Sequence, residues 1–145
     1  LETYFALHPG IAQYIEVTKE KAHSDGYVET LFGRRRYLPD INSGIRMLSA
    51  AAERMAVNMP VQGTQADLLK MAMINVSEWI EKSHLDVKML LQVHDELVFE
   101  AAEDDMDKVV REIQSIMEAV HQFEIPLVVN VEVGKNWGML KEWKR

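Results

Sequence analysis

The sequence predicts an α+β fold in which an antiparallel sheet carries packed helices. Three observations predict it. Residues 45–83 repeat apolar side chains at helical spacing, residues 87–100 alternate around an acidic bend, and residues 106–120 return to a clean helical period before a last alternating stretch. Strands joined by so short a bend pair antiparallel, and the mixture of hairpin and helix favours a layer of helices on that sheet.

The elements follow in order. Residues 2–24 read as helix, with His8-Pro9-Gly10 as a break or restart and Gly26 as a stop. Residues 27–32 are β-rich, and after Gly33 the run Arg34-Arg35-Arg36-Tyr37-Leu38 returns as the second strand of a short hairpin. From Ile45 to about Ser83 the pattern is helical. Leu48, Ala51, Ala52, Met55 and Met59 fall in a sector about 100° wide, which predicts a buried stripe. Pro60 withholds a backbone N–H and is expected to kink or break that helix. Beyond it, Leu69, Ala72, Met73, Val76 and Ile80 form the inner face.

Val87, Met89, Leu91 and Val93 alternate with Lys88, Leu90 and Gln92, and Leu97-Val98-Phe99 follows after His94-Asp95-Glu96. This predicts a β-hairpin with a three-residue acidic tip. Met106, Val109, Val110, Ile113, Ile116, Met117 and Val120 mark the next helix, with Glu103, Asp104 and Asp105 favouring its N-terminus. Leu127, Val129, Val131 and Val133 predict a last strand, ended by Gly134.

Composition narrows the function classes. The 145 residues suit one domain or a piece of one, and 48% hydrophobic with 27% charged residues is a globular balance. Leu1 stands inside a helical pattern, so the chain is expected to begin within a longer gene product. No apolar run approaches the ~20 residues of a membrane span, and no secretory leader is evident. Cysteine is absent, which excludes disulfides, thiolate metal sites and a cysteine nucleophile, and fits a reducing compartment. The net charge of −7 argues against a general nucleic-acid binder, yet residues 91–145 hold twelve acidic and six basic side chains, so the excess is local.

Three constellations carry chemistry. His94, Asp95 and Glu96 present adjacent carboxylates at a hairpin tip, where repulsion is relieved by a shared cation or proton. Mg²⁺ takes such hard oxygen ligands together with water and substrate phosphates. A solvated turn is the competing reading. Arg54, Asn58 and Gln62 recur every four residues and form one polar stripe on a helix, suited to a nucleic-acid groove or to plain solvation. Gly63 beside them permits close backbone approach. Arg34, Arg35 and Arg36 place +3 on a strand, Arg34 and Arg36 on one face and Arg35 on the other. Phosphate contact and carboxylate pairing are equally open for them. His8, His23, His84 and His121 show no metal-ligand spacing and read as structural. No P-loop, dinucleotide-binding glycine pattern or nucleophile elbow is present.

Together these stretches resemble the C-terminal portion of bacterial family A DNA polymerases. Gln92-Val93-His94-Asp95-Glu96-Leu97-Val98 is similar to the third polymerase motif of that family. Residues 52–67 (AERMAVNMPVQGTQAD) resemble its helix along the primer–template minor groove, residues 31–40 (LFGRRRYLPD) the segment before it, and Gly134-Lys135-Asn136-Trp137 its closing strand and tail. The resemblance covers nearly the whole chain, in order.

It implies that residues 1–145 are a distal fingers and palm region, an incomplete part of a polymerase hand with a palm-type antiparallel sheet. Residues 1–45 would supply a helix and the Arg-rich hairpin, and 46–145 the DNA-tracking helix and the palm with its acidic hairpin. Asp95 is implied as a catalytic Mg²⁺ ligand and Glu96 as a nearby carboxylate at the same two-ion site. His94 is implied near the primer 3′ end. Arg54, Asn58, Gln62 and at least one of Arg34, Arg35 and Arg36 are implied as DNA contacts. Primer–template DNA, a deoxynucleoside triphosphate and the remainder of the polymerase (upstream palm, fingers and thumb) are the implied partners. The implied setting is cytoplasmic, at the bacterial nucleoid, with no membrane.

The intact enzyme would transfer a nucleotide to a primer 3′-OH. The family's first metal-binding Asp motif and its nucleotide-holding fingers helix are missing from these residues, so the fragment alone is expected to be inactive. Leu48 and Ser49 stand where basic residues are common in the family, which removes one phosphate contact. Gln65 replaces a smaller residue and is expected to crowd the helix. A non-catalytic DNA-binding module is the alternative function, and a metal-dependent phosphohydrolase a further one.

Overall fold

The structure, a computed structural model, describes residues 2–143. Two compact units divide the chain, Leu1–Asp67 and Leu68–Arg145.

In the first unit, α1 (Glu2–Leu7) and α2 (Pro9–Asp25) realise the predicted helix with its restart at Pro9. Proline suits the opening turn, where its missing N–H has no intrahelical partner to lose. Gly26 ends α2 at φ +74°, and its N–H donates to the Ala22 carbonyl at 2.9 Å. That left-handed stop favours a residue without Cβ.

Strands β1 (Tyr27–Glu29) and β2 (Arg35–Tyr37) pair antiparallel, with Tyr27 opposite Tyr37, Val28 opposite Arg36 and Glu29 opposite Arg35. The hairpin is shorter than the 27–32 run predicts. The buried Thr30 hydroxyl accepts hydrogen bonds from the amides of Phe32 (3.3 Å) and Arg34 (3.1 Å) and turns the chain early.

Helix α3 spans Arg46–Ser83 and contains Pro60. The expected break does not occur. Proline removes one backbone hydrogen bond there, while Ala52, Ala56 and Met59 beside it are buried with Ala22, Val28, Leu38 and Ile41 in one core. Burial of that face outweighs a single lost bond. The buried stripe keeps Ala52 and Met59 as predicted but takes Ala56 in place of Met55, which is 38% exposed.

In the second unit, Val76 of α3, Val87 of β3 (Val87–Val93) and Val109 and Ile113 of α4 (Met106–Glu118) form the core. Trp79, Ile80, Met89, Phe99 and Met117 pack around it. The acidic residues Glu103–Asp105 form a 3₁₀ turn leading into α4. Strand β4 (Glu96–Ala101) pairs antiparallel with β3.

The predicted last strand is mostly not a strand. Only Glu132–Val133 (β5) pairs, with Lys141–Glu142 (β6). Upstream, the amide of Val129 donates to Glu118 Oε1 (3.1 Å) and its carbonyl accepts from Gln114 Nε2 (2.8 Å). Side chains of α4 thus take the backbone bonds that a neighbouring strand would have made. Among the described residues, all strand pairing is antiparallel, in three two-stranded ribbons, and the fold is α+β. No described helix is long and apolar enough to cross a membrane.

Candidate active site and nucleic-acid interface

The acidic hairpin differs from its predicted form in a way that decides where its carboxylates stand. The turn is two residues, His94-Asp95, and Glu96 is the first residue of β4, opposite Val93. His94 has φ +52°, the left-handed value that a tight two-residue hairpin requires and that histidine tolerates better than most residues. Gln92 Nε2 donates to the His94 carbonyl at 3.0 Å and ties the turn to β3. Sequence reasoning gave Gln92 no role of its own, because an exposed strand glutamine carries no local signal of what it caps.

A β-bulge precedes this turn. Met89 faces Phe99 and Leu91 faces Val98, so Leu90 is one residue too many on β3. Cross-strand partners share a face, and the extra residue reverses the alternation beyond it. Gln92, opposite Leu97, therefore stands on the Met89–Phe99 side, and Leu91 and Val93 move to the other side with Val98 and Glu96. Strict alternation predicts Leu91 facing the core with Met89. Instead it is 51% exposed. His94, Asp95 and Glu96 are all exposed.

Asp95 and Glu96 are hard oxygen donors of the kind that hold Mg²⁺. Among the described residues, no group of three His, Asp or Glu side chains is arranged to hold an ion. The pair therefore fits a partial ligand set, completed by water, phosphate or other carboxylates.

In the first unit, Arg54, Asn58 and Gln62 all lie exposed on α3, away from buried Ala52, Ala56 and Met59. Arg54 makes no ion pair among the described residues. Ser49 donates its hydroxyl to the Ile41 carbonyl at 2.9 Å, and Gln65 is exposed within the continuous helix α3.

The three arginines separate as strand alternation requires. Arg34 and Arg36 face α3. Arg34 Nε donates to Asp67 Oδ1 (2.8 Å) and Nη2 to the Gly63 carbonyl (3.0 Å), whereas Arg36 Nη2 reaches only the Met55 sulfur (3.4 Å). Arg35 points the other way, bonded to Glu29 (2.7 Å) and lying 4.5 Å over the Tyr27 ring. Among the described residues no carboxylate pairs with Arg36.

An exposed Arg-Asn-Gln stripe lies on α3 of the first unit and an Asp-Glu pair at the hairpin turn of the second, and the profile of DNA polymerase family A matches residues 1–139. The chain belongs to that family. Its relatives include DNA polymerase I of Pseudomonas aeruginosa, 47% identical over 137 residues that cover 94% of this chain and 15% of that protein. The thermostable DNA polymerase I of Thermus aquaticus is 47% identical over 142 residues, covering 98% and 17%. Among solved structures, the POL domain of Pol1 from M. smegmatis, in complex with DNA primer-template and dNTP, superimposes with a TM-score of 0.84 at 41% identity. That match covers 87% of this chain and 22% of the other. The chain thus spans about a sixth of the length of the curated relatives it matches.

Proposed function

We propose that this chain is the distal fingers and palm region of a template-directed DNA polymerase, which joins a deoxynucleoside triphosphate to a primer 3′-OH. The observation that carries the reading is the exposed Asp95-Glu96 pair, held by a two-residue turn and a bulged ribbon in a chain of polymerase family A. In two-metal phosphoryl transfer, Mg²⁺ stabilises the attacking and leaving oxygens. Asp95 would be a ligand and Glu96 a carboxylate of the same site. His94, in the turn beside them, would stand near the primer end.

Arg54, Asn58 and Gln62 would contact the minor groove, whose acceptors are nearly the same for every base pair. Such contacts check pair geometry without reading sequence. Of the three arginines, Arg36 is best placed for phosphate, since the guanidinium groups of Arg34 and Arg35 already meet carboxylates. Arg35 remains exposed enough to reach phosphate through its outer nitrogens. Primer–template DNA, a deoxynucleoside triphosphate and further polymerase segments are the corresponding partners, and the bacterial cytoplasm at the nucleoid is the corresponding setting.

The test is Asp95→Ala in the gene product that carries this chain. Primer extension is expected to fall by two orders of magnitude or more while affinity for primed duplex is kept. Unchanged synthesis would refute the assignment of Asp95. Retained DNA binding with no synthesis in the unmutated protein would favour the non-catalytic module instead.

A further inference from the structure

The loop 30–34 is fastened to one turn of α3 by an unusually dense set of contacts. Leu31 N donates to Thr64 Oγ1 at 2.9 Å, and the Thr64 hydroxyl in turn donates to the Pro60 carbonyl. Arg34 reaches the same turn twice, through Nη2 to the Gly63 carbonyl and Nε to Asp67 Oδ1. The Asp67 side chain is 13% exposed, so this ion pair is shielded on the acid's side. Gly63 itself is buried. A Cβ there would meet Thr30 Cγ2 at 2.6 Å and Met59 Cε at 3.2 Å, so loop and helix touch with no room for a side chain.

Gln62 precedes this glycine and ends the polar stripe of α3. Two of the three nitrogens of the Arg34 guanidinium are engaged by the helix, in a fork geometry that a flexible lysine would not reproduce. We infer that Arg34 and Asp67 are positioning residues, which clamp the 30–34 loop to the α3 turn carrying Gln62 and so fix where that side chain meets DNA. This rests on the minor-groove reading of the stripe and deepens it: the stripe has a built support at the Gln62 end, and Arg34 acts through the helix rather than on phosphate.

The experiment measures affinity for a primed DNA duplex, by fluorescence anisotropy across a salt series, in the gene product that carries this chain. Arg34→Gln and Asp67→Asn are each expected to lower affinity roughly threefold or more without changing the slope of log K against log salt. Combined with Gln62→Ala, neither should cost more than Gln62→Ala alone, because both act through that residue. A merely structural role would lower thermal stability yet leave the two losses additive. A salt slope smaller by about one for Arg34→Gln would show a direct phosphate contact, and overturns the inference.

Gly63→Ala is expected to weaken binding, and adding Thr30→Ser should restore it. Serine removes the Cγ2 that the new methyl meets and keeps the hydroxyl that accepts from Phe32 and Arg34. Failure of that rescue, measured by affinity and by unfolding temperature, also counts against the clamp. If Arg54→Ala and Gln62→Ala leave affinity unchanged, the minor-groove reading itself fails, and this outcome is separate from the others.

Discussion

His23 is bonded at both ring nitrogens to acceptors. Nδ1 lies 2.8 Å from Asn42 Oδ1 and Nε2 lies 3.2 Å from Glu53 Oε1. The orientation of the Asn42 amide is fixed by its own Nδ2, which donates to the His23 carbonyl at 3.0 Å. Both ring nitrogens must therefore donate, which only the imidazolium does. The hydrogen bond to Asn42 and then that to Glu53 raise the His23 pKa above its ordinary 6.5. A raised folded pKa adds stability that is complete below about pH 6.5 and lost as pH rises through the folded value. An NMR titration is expected to place the His23 midpoint above 6.5, and Glu53→Gln should lower it. A midpoint at or below 6.5 would contradict the doubly donating geometry. From the sequence His23 reads as structural. Its partners were not legible there, because Asn42 and Glu53 lie 19 and 30 residues away.

Elements with a strong local period were legible, and those whose backbone bonds go elsewhere were not. Helix α4 follows its apolar repeat, since Val109, Val110 and Ile113 are buried as the spacing requires. Ile113→Ala is expected to destabilise the chain by about 2–4 kcal/mol in urea unfolding, the range for a buried isoleucine truncated in a core. A loss under half a kcal/mol would mean the site collapses or is not core. The 127–131 stretch has equal β character, but Gln114 and Glu118 capture the backbone of Val129, a side-chain bond that no periodicity reveals. A break at Pro60 does not form for the opposite reason, because a local helix breaker is overridden by long-range packing. Pro60→Ala restores the missing N–H and is expected to raise stability by roughly 1–3 kcal/mol. A fall in unfolding temperature instead would show that α3 needs the ring at this turn.

At the scale of the whole molecule, charge sets the terms for nucleic acid. The net charge is −7, with the acidic excess in the last third of the sequence. Any DNA contact by the first unit then depends on a few local cations and is sensitive to salt. Arg36→Ala is expected to lower the slope of log affinity against log salt by about one, the signature of a lost phosphate contact. An unchanged slope would remove Arg36 from that role. The isolated 145-residue chain is expected to give no primer extension, since the family's first metal-binding Asp motif and its nucleotide-holding fingers helix are not among these residues. Robust metal-dependent synthesis by this chain alone would overturn that expectation. The sequence made both the stripe and the acidic pair legible, because each is local. The division into units at Asp67 was not, since it falls inside one unbroken helix.

Strand β3 holds seven residues against six in β4, and Leu90 is the surplus. Trimming it would leave six facing six, with Gln92 still across from Leu97 and the His94-Asp95 bend intact, while straightening the ribbon that the bulge curves. The direction in which the acids are aimed and the identity of those acids are therefore separately adjustable, and a single deletion outside the bend is enough to change the first without the second.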